Sequence, residues 1–207
     1  TGSSPKSLYA ELVRLHKEEG LSFKNVVSFN LDEYYPMEPD SINSYVRFMK
    51  ELLFNHVDIL PENIHIPDGT LSKEAIGDYC ADYETKIEAL GGIDLQVLGI
   101  EGNGHIRFNE SGSLQNSKTR LVALDHITRV AASNDFSGLN NTPRTAITLG
   151  VKKIMEAKRV ILLAWGEGKS NIIKASVEGS VTNLVPASFL QEHSNTTFVL
   201  DKAAASK

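Results

Sequence analysis

Ile93-Asp94-Leu95-Gln96-Val97-Leu98, running into Gly99-Ile100-Glu101-Gly102-Asn103-Gly104-His105-Ile106-Arg107-Phe108-Asn109-Glu110, is the stretch from which the fold is read. The apolar run from Ile93 to Leu98 has the make-up of a buried strand, and the glycines after it break the strand into a loop. Glycine lets a backbone approach a ligand closely. The loop carries His105, and histidine is the side chain most readily used for proton transfer near neutral pH. Glu110 lies close enough along the chain to meet His105 across a tight loop, and Asn103 is placed to orient the imidazole. A carboxylate beside a histidine favours the imidazolium and fixes its tautomer. The loop by itself also reads as a plain strand-to-loop turn with an exposed histidine.

Working outward, the second continuous apolar run is Val160-Ile161-Leu162-Leu163-Ala164-Trp165, followed by Gly166-Glu167-Gly168-Lys169. Shorter strands are expected at 26–29, 119–124, 145–149 and 196–200. Helical periodicity covers Ser4 to Glu19, Ser41 to Val57, Leu71 to Leu90 and Ser170 to Val177, with short helices at 125–133, 151–157 and 185–193. Strands alternate with helices, and the most apolar runs look buried on both faces. That pattern predicts a single α/β domain over residues 1–207, a Rossmann-like, mostly parallel sheet covered by helices on both sides. The chain opens abruptly on Thr1-Gly2-Ser3-Ser4-Pro5, as a loop after a strand would. The expectation is that an upstream helix and first strand precede it.

Composition narrows the function classes. The 207 residues are 41% hydrophobic and 23% charged, with a net charge of −5 and no basic block, which disfavours nucleic-acid and membrane-surface partners. No apolar run approaches the ~18 residues of a membrane span. The one cysteine, Cys80, falls on the apolar side of a helical stretch with Ile76, Tyr83 and Ile87 and reads as core. A reducing, cytoplasmic setting follows as the expectation.

In parallel α/β sheets, ligands sit beyond the carboxyl ends of the strands. Besides the opening stretch, three motifs fall there. Thr1-Gly2-Ser3-Ser4-Pro5 precedes a helix, where N–H groups and the helix dipole favour an anion such as phosphate; ordinary capping by Ser3 or Ser4 is the other reading. Asp32-Glu33-Tyr34 lies at a strand end, where one carboxylate could act as a general base or both could simply be solvated. Lys169 opens a helix and is either a point charge for a phosphate or a surface lysine. His65 and His126 read as incidental, and no set of side chains has metal-ligand spacing.

Taken together, Thr1 to Pro5, Phe29-Asn30-Leu31-Asp32-Glu33-Tyr34, Gly102-Asn103-Gly104-His105-Ile106, Phe108-Asn109-Glu110 and Val177-Glu178-Gly179 resemble the glucosamine-6-phosphate deaminase (isomerase) family in order and spacing. The resemblance covers nearly the whole chain. From Thr119 to Gly179 it looks like the branch found in Bacteroides-type bacteria. It implies conversion of glucosamine 6-phosphate to fructose 6-phosphate and ammonia, with no cofactor and no metal. By position, His105 resembles the group that opens the pyranose ring. Asp32 resembles the base that moves a proton from C2 to C1, and Asn103 and Glu110 flank and tune the histidine. Thr1, Gly2, Ser3, Ser4 and Lys169 match a phosphate site, Tyr45 a substrate-pocket tyrosine, and Arg129 replaces a phosphate-binding arginine that the family has near Asn134. The expected partner is a small-molecule sugar phosphate, with self-association into a homo-oligomer left open.

The sequence departs from the pattern at three points. The family usually has Gly or Ala where Arg107 stands, Gly where Glu101 stands, and Pro where Ser111 stands. Arg120 fits one residue tied to allosteric activation in some members, and the other such residues have no match. The departures keep other readings open: a sugar-phosphate-binding protein impaired in catalysis, the same chemistry on another hexosamine phosphate, or a 6-phosphogluconolactonase-like hydrolase.

Overall fold

The computed structural model describes residues 1–207. Its helices are α1 (Lys6–Glu19), α2 (Tyr45–Leu52), α3 (Ile76–Ala89), α4 (His126–Ala132), α5 (Val151–Met155) and α6 (Ser170–Val177). Its strands are β1 (Ser28–Phe29), β2 (Asp32–Tyr35), β3 (Ile64–His65), β4 (Gln96–Gly99), β5 (Arg120–Ala123), β6 (Thr145–Thr148), β7 (Val160–Ala164) and β8 (Thr196–Leu200). Short 3₁₀ turns occupy Phe54–His56, Pro61–Asn63, Glu167–Lys169 and Pro186–Glu192. The fold is α/β with parallel strand pairing. No helix is long and apolar enough to cross a membrane.

The chain divides into two compact units, Thr1–Ser72 with Ala123–Ile147, and Lys73–Val122 with Thr148–Lys207. In the first, β1 pairs in parallel with β3, Ser28 opposite Ile64 and Phe29 opposite His65. The His65 ring stacks on Phe29 at 4.4 Å, which accounts for that histidine by packing. A core of Phe23, Met49, Leu53, Phe54 and Ile59 closes under Tyr9, Leu12 and Val13 of α1. β2 lies beside β6 in its own sheet, and the Thr145 hydroxyl donates to the Tyr35 carbonyl at 2.7 Å.

The strand expected at 26–29 is shorter, Ser28–Phe29, and the stretch it runs into forms a second strand of its own, Asp32–Tyr35. β1 and β2 take different partners, so the strand breaks at Asn30, whose N–H donates to the His65 carbonyl at 2.8 Å. The expected helix from Ser41 is also shorter. Its first turn is not helical, because the Ser44 hydroxyl donates to the Pro39 carbonyl at 2.7 Å and accepts from the Arg47 N–H at 3.0 Å. That N-cap fixes the helix start at Tyr45. Ile42, expected on the apolar face, is left 75% exposed.

In the second unit β4, β7 and β8 form a parallel sheet of that order. The register sets Gly99 opposite Leu163, and Leu163 opposite Val199. Leu98, Val160 and Leu162 are buried completely or nearly so, as the continuous apolar runs require. α3 turns Ile76, Cys80, Tyr83 and Ile87 inward, and burial pushes the Cys80 thiol up to about 11. Because β4 and β7 are parallel neighbours, the loops that leave their carboxyl ends, at residues 100–110 and 165–169, rise side by side.

Candidate functional site

The loop after β4 is built around His105. Gly104 takes φ +80°, and a Cβ there would stand 2.8 Å from both Ile172 Cδ1 and Val185 Cγ1, so only glycine fits. The Gly104 N–H donates to the Glu101 carbonyl at 2.9 Å, and its carbonyl accepts from the Ala187 N–H at 3.0 Å. With the backbone held at both ends of this residue, the next side chain has a fixed direction. His105 Nδ1 meets Glu110 Oε2 at 2.9 Å, with the two side chains only 6% and 9% exposed. Asn103 joins them: its Nδ2 donates to the same Glu110 oxygen at 3.3 Å, and its Oδ1 accepts from the His105 N–H at 3.3 Å. A carboxylate on Nδ1 keeps the proton there in the neutral ring and directs proton exchange to Nε2. Such a histidine can deliver or remove a proton, and the carboxylate stabilises the imidazolium in between. The expected trio of Asn103, His105 and Glu110 is thus assembled, and the reading of an exposed loop histidine is excluded by its burial.

Asn109 holds the far end of the loop. It is fully buried. Its Nδ2 donates to the Leu149 carbonyl at 2.9 Å and the Ile106 carbonyl at 3.2 Å. Its Oδ1 accepts from Arg120 at 3.1 Å, and Arg120 also reaches the Ser113 hydroxyl at 3.3 Å. This makes Arg120 a strut of the loop. Arg107 occupies the turn between Ile106 and Asn109, which form a bridge. It adopts φ 57°, a region that favours glycine.

In the first unit, Asp32 and Glu33 are each 1% exposed, so the solvated-end reading of this pair fails. Glu33 accepts the Tyr34 N–H at 2.9 Å, the Tyr45 N–H at 2.8 Å and the Val46 N–H at 3.3 Å. Its carboxyl clamps the start of α2 to β2. Burial pushes it up to about 8 against the pull of those three N–H donors, and the Asp32 charge adds to the rise. Sequence reasoning named the dipeptide but missed this division of labour, because the clamp depends on where α2 begins. Tyr45 follows from the same clamp, its ring 5.2 Å from that of Tyr34.

At the chain start, Gly2 takes φ +88° with open space around it. Pro5 is the N-cap of α1 and has no side-chain group able to cap it, while the Ser3 carbonyl accepts the Lys6 N–H at 3.3 Å. Arg129 donates through Nη2 to the Leu139 carbonyl at 2.8 Å and the Thr142 carbonyl at 3.3 Å, while its Nε is buried without a partner. Lys169, in the second unit, immediately precedes α6. Its ammonium contacts Glu101 at 2.9 Å, an ion pair the sequence reading did not foresee.

A histidine held by a carboxylate on a glycine loop of a parallel α/β sheet defines a class of acid–base enzyme. The family model described as glucosamine-6-phosphate isomerases/6-phosphogluconolactonase matches residues 1–199, and the chain belongs to this family. Its relatives are more specific. A glucosamine-6-phosphate deaminase-like protein of Bacteroides thetaiotaomicron is 52% identical over 204 residues, covering 99% of this chain and 31% of its own. The chain thus spans less than a third of that relative. The glucosamine-6-phosphate deaminase of Halothermothrix orenii is 47% identical over 206 residues, covering 100% of this chain and 85% of its own. A solved monomeric glucosamine-6-phosphate deaminase superposes with a TM-score of 0.96 at 39% identity, covering 100% of this chain and 85% of that one.

Proposed function

We propose that this chain is a glucosamine-6-phosphate deaminase. The observation that carries the reading is the buried His105–Glu110 pair with Asn103 bonded to both. In the reaction, His105 moves a proton between O5 and O1 to open the pyranose ring, with Glu110 stabilising the imidazolium. Asp32 removes the C2 proton of the open chain and returns it to C1, an aldose-to-ketose isomerisation. Water then adds at C2, the C2–N bond breaks, and ammonia leaves with fructose 6-phosphate as the other product. Thr1, Gly2, Ser3, Ser4 and Lys169 are assigned to the phosphate, and Tyr45 to the sugar. The open, left-handed Gly2 just before the N-terminus of α1 supports the first of these assignments. Arg129 contributes only through N–H groups not spent on Leu139 and Thr142.

The match over residues 1–199 supports reading the chain as one family domain. The monomeric solved relative supports a monomer over a homo-oligomer, and the bacterial deaminase relatives support a cytoplasmic setting. Identity of 47% to a deaminase favours deamination over lactone hydrolysis. The test is to incubate the protein with glucosamine 6-phosphate, glucosamine and 6-phosphogluconolactone and follow ammonia, fructose 6-phosphate and 6-phosphogluconate. Turnover of the first alone is expected. Hydrolysis of the lactone with no ammonia from the amino sugar would refute the proposal.

A further inference from the structure

We propose that Glu101 is a built-in competitor for the phosphate monoester that Lys169 receives, so that substrate binds only as Glu101 is displaced. The inference rests on the deaminase reading of the site. Its basis is the side-by-side rise of the two loops. β4 and β7 are parallel neighbours with Gly99 opposite Leu163, and Glu101 and Lys169 stand just beyond their carboxyl ends. Glu101 Oε2 lies 2.9 Å from Lys169 Nζ, although 68 residues separate them in sequence.

Chemically, a carboxylate oxygen occupies an ammonium in the same way as a phosphate oxygen does, through charge and an N–H donor. Lysine recognises either as a point charge, and although its three N–H donors can touch two anions, a carboxylate held at 2.9 Å from Lys169 Nζ sets its negative charge against that of an incoming phosphate. The two sides of the pair differ in exposure. The Lys169 side chain is 24% exposed and the Glu101 side chain 62%. The lysine is the fixed member, and the glutamate can swing into water without losing a packed position. An exposed pair of this kind is weak, so it lowers the affinity for a phosphate monoester instead of abolishing it.

The same geometry gives Glu101 a second effect. Its carbonyl accepts the Gly104 N–H, so its backbone belongs to the turn that carries His105. Displacement of the side chain leaves this backbone bond in place. Release of Lys169 therefore needs no rebuilding of the histidine loop, and the influence of Glu101 falls on KM more than on kcat.

Glu101→Gln removes the charge and keeps the size. Isothermal titration with glucosamine 6-phosphate, inorganic phosphate and unphosphorylated glucosamine separates the contributions, run on the full chain and on the Lys169→Ala and Glu101→Gln/Lys169→Ala forms. The expected result is about 2- to 10-fold tighter binding of both phosphate-bearing ligands by Glu101→Gln, with no gain for glucosamine and no gain in the Lys169→Ala background. KM should fall by the same factor. Equal or weaker binding by Glu101→Gln, where the wild type binds, would overturn the competitor role and show that Glu101 positions Lys169. A gain that survives Lys169→Ala would overturn it as well. Failure of both wild type and Glu101→Gln to bind the sugar phosphate would defeat the reading of the site itself, and the competitor with it.

Discussion

Arg107 holds a left-handed conformation, φ 57°, in the turn that closes the histidine loop. For a residue with a side chain this costs on the order of 1 kcal/mol relative to glycine. Its guanidinium lies 6.0 Å from the centre of the Phe108 ring. Arg107→Gly should therefore be more stable than Arg107→Ala by about 1 kcal/mol in urea unfolding, since both lose the guanidinium and only glycine relieves the strained backbone. Equal stability of the two variants would show that the turn stores no strain at this position. Asn109 gives the opposite case. Its side chain satisfies two carbonyls and one arginine inside a fully buried site. Asn109→Ala strands these groups and should cost about 3 kcal/mol, since each buried group left without a partner costs ~1–3. The trio of Asn103, His105 and Glu110 was legible in the sequence because its members are local, the farthest pair only seven residues apart. The Glu101–Lys169 contact was not, since it follows from the pairing of two strands distant in the chain.

Among the elements, α2 shows how a boundary and a charge are set together. Ser44 caps the helix, and Glu33 binds the N–H groups of Tyr45 and Val46 twelve and thirteen residues away. The folded protein holds the Glu33 proton up to about pH 8, whereas the unfolded chain releases it near the ordinary 4.5. The folded state is then the one that binds more protons in between, so stability falls as pH rises through that interval. The contribution of Glu33 is whole below about 4.5 and is lost as pH rises through about 8. Glu33→Gln does not titrate. The stability of wild type relative to Glu33→Gln should thus decline between these limits and level off above them, measured by urea unfolding at stepped pH. A difference that grows with pH would show that the three N–H donors prevail and hold the carboxyl ionised.

The elements were not equally legible. α6 begins and ends where periodicity put it, Ser170–Val177, and the outside contacts at its ends, Ser170 to the Glu167 carbonyl and Gln191 to the Ser176 carbonyl, leave those bounds in place. α2 begins later than periodicity suggested, because Ser44 is drawn to the Pro39 carbonyl. The break between β1 and β2 was hidden for the same kind of reason: it is decided by which strands lie alongside, and those come from residues 64–65 and 145–148.

For the molecule as a whole, the α/β class followed from the apolar runs that became β4 and β7. Their burial leaves only the loops beyond their ends free for chemistry. The chain sets 26 Asp and Glu against 21 Lys and Arg, so on the proposed function an anionic substrate competes with the protein's own carboxylates for those cations. In this protein one of them, Lys169, is already answered by Glu101. The proposed function makes one central claim, that proton transfer at His105 and Asp32 converts an amino-sugar phosphate. The most direct measurement is the rate of ammonia release from glucosamine 6-phosphate, coupled to fructose 6-phosphate formation, in wild type, His105→Gln and Asp32→Asn. The account predicts equal amounts of the two products from the wild type and a fall in kcat of ~10²–10⁴ in each variant. Ammonia release that survives both substitutions, or its absence in the wild type, would contradict it.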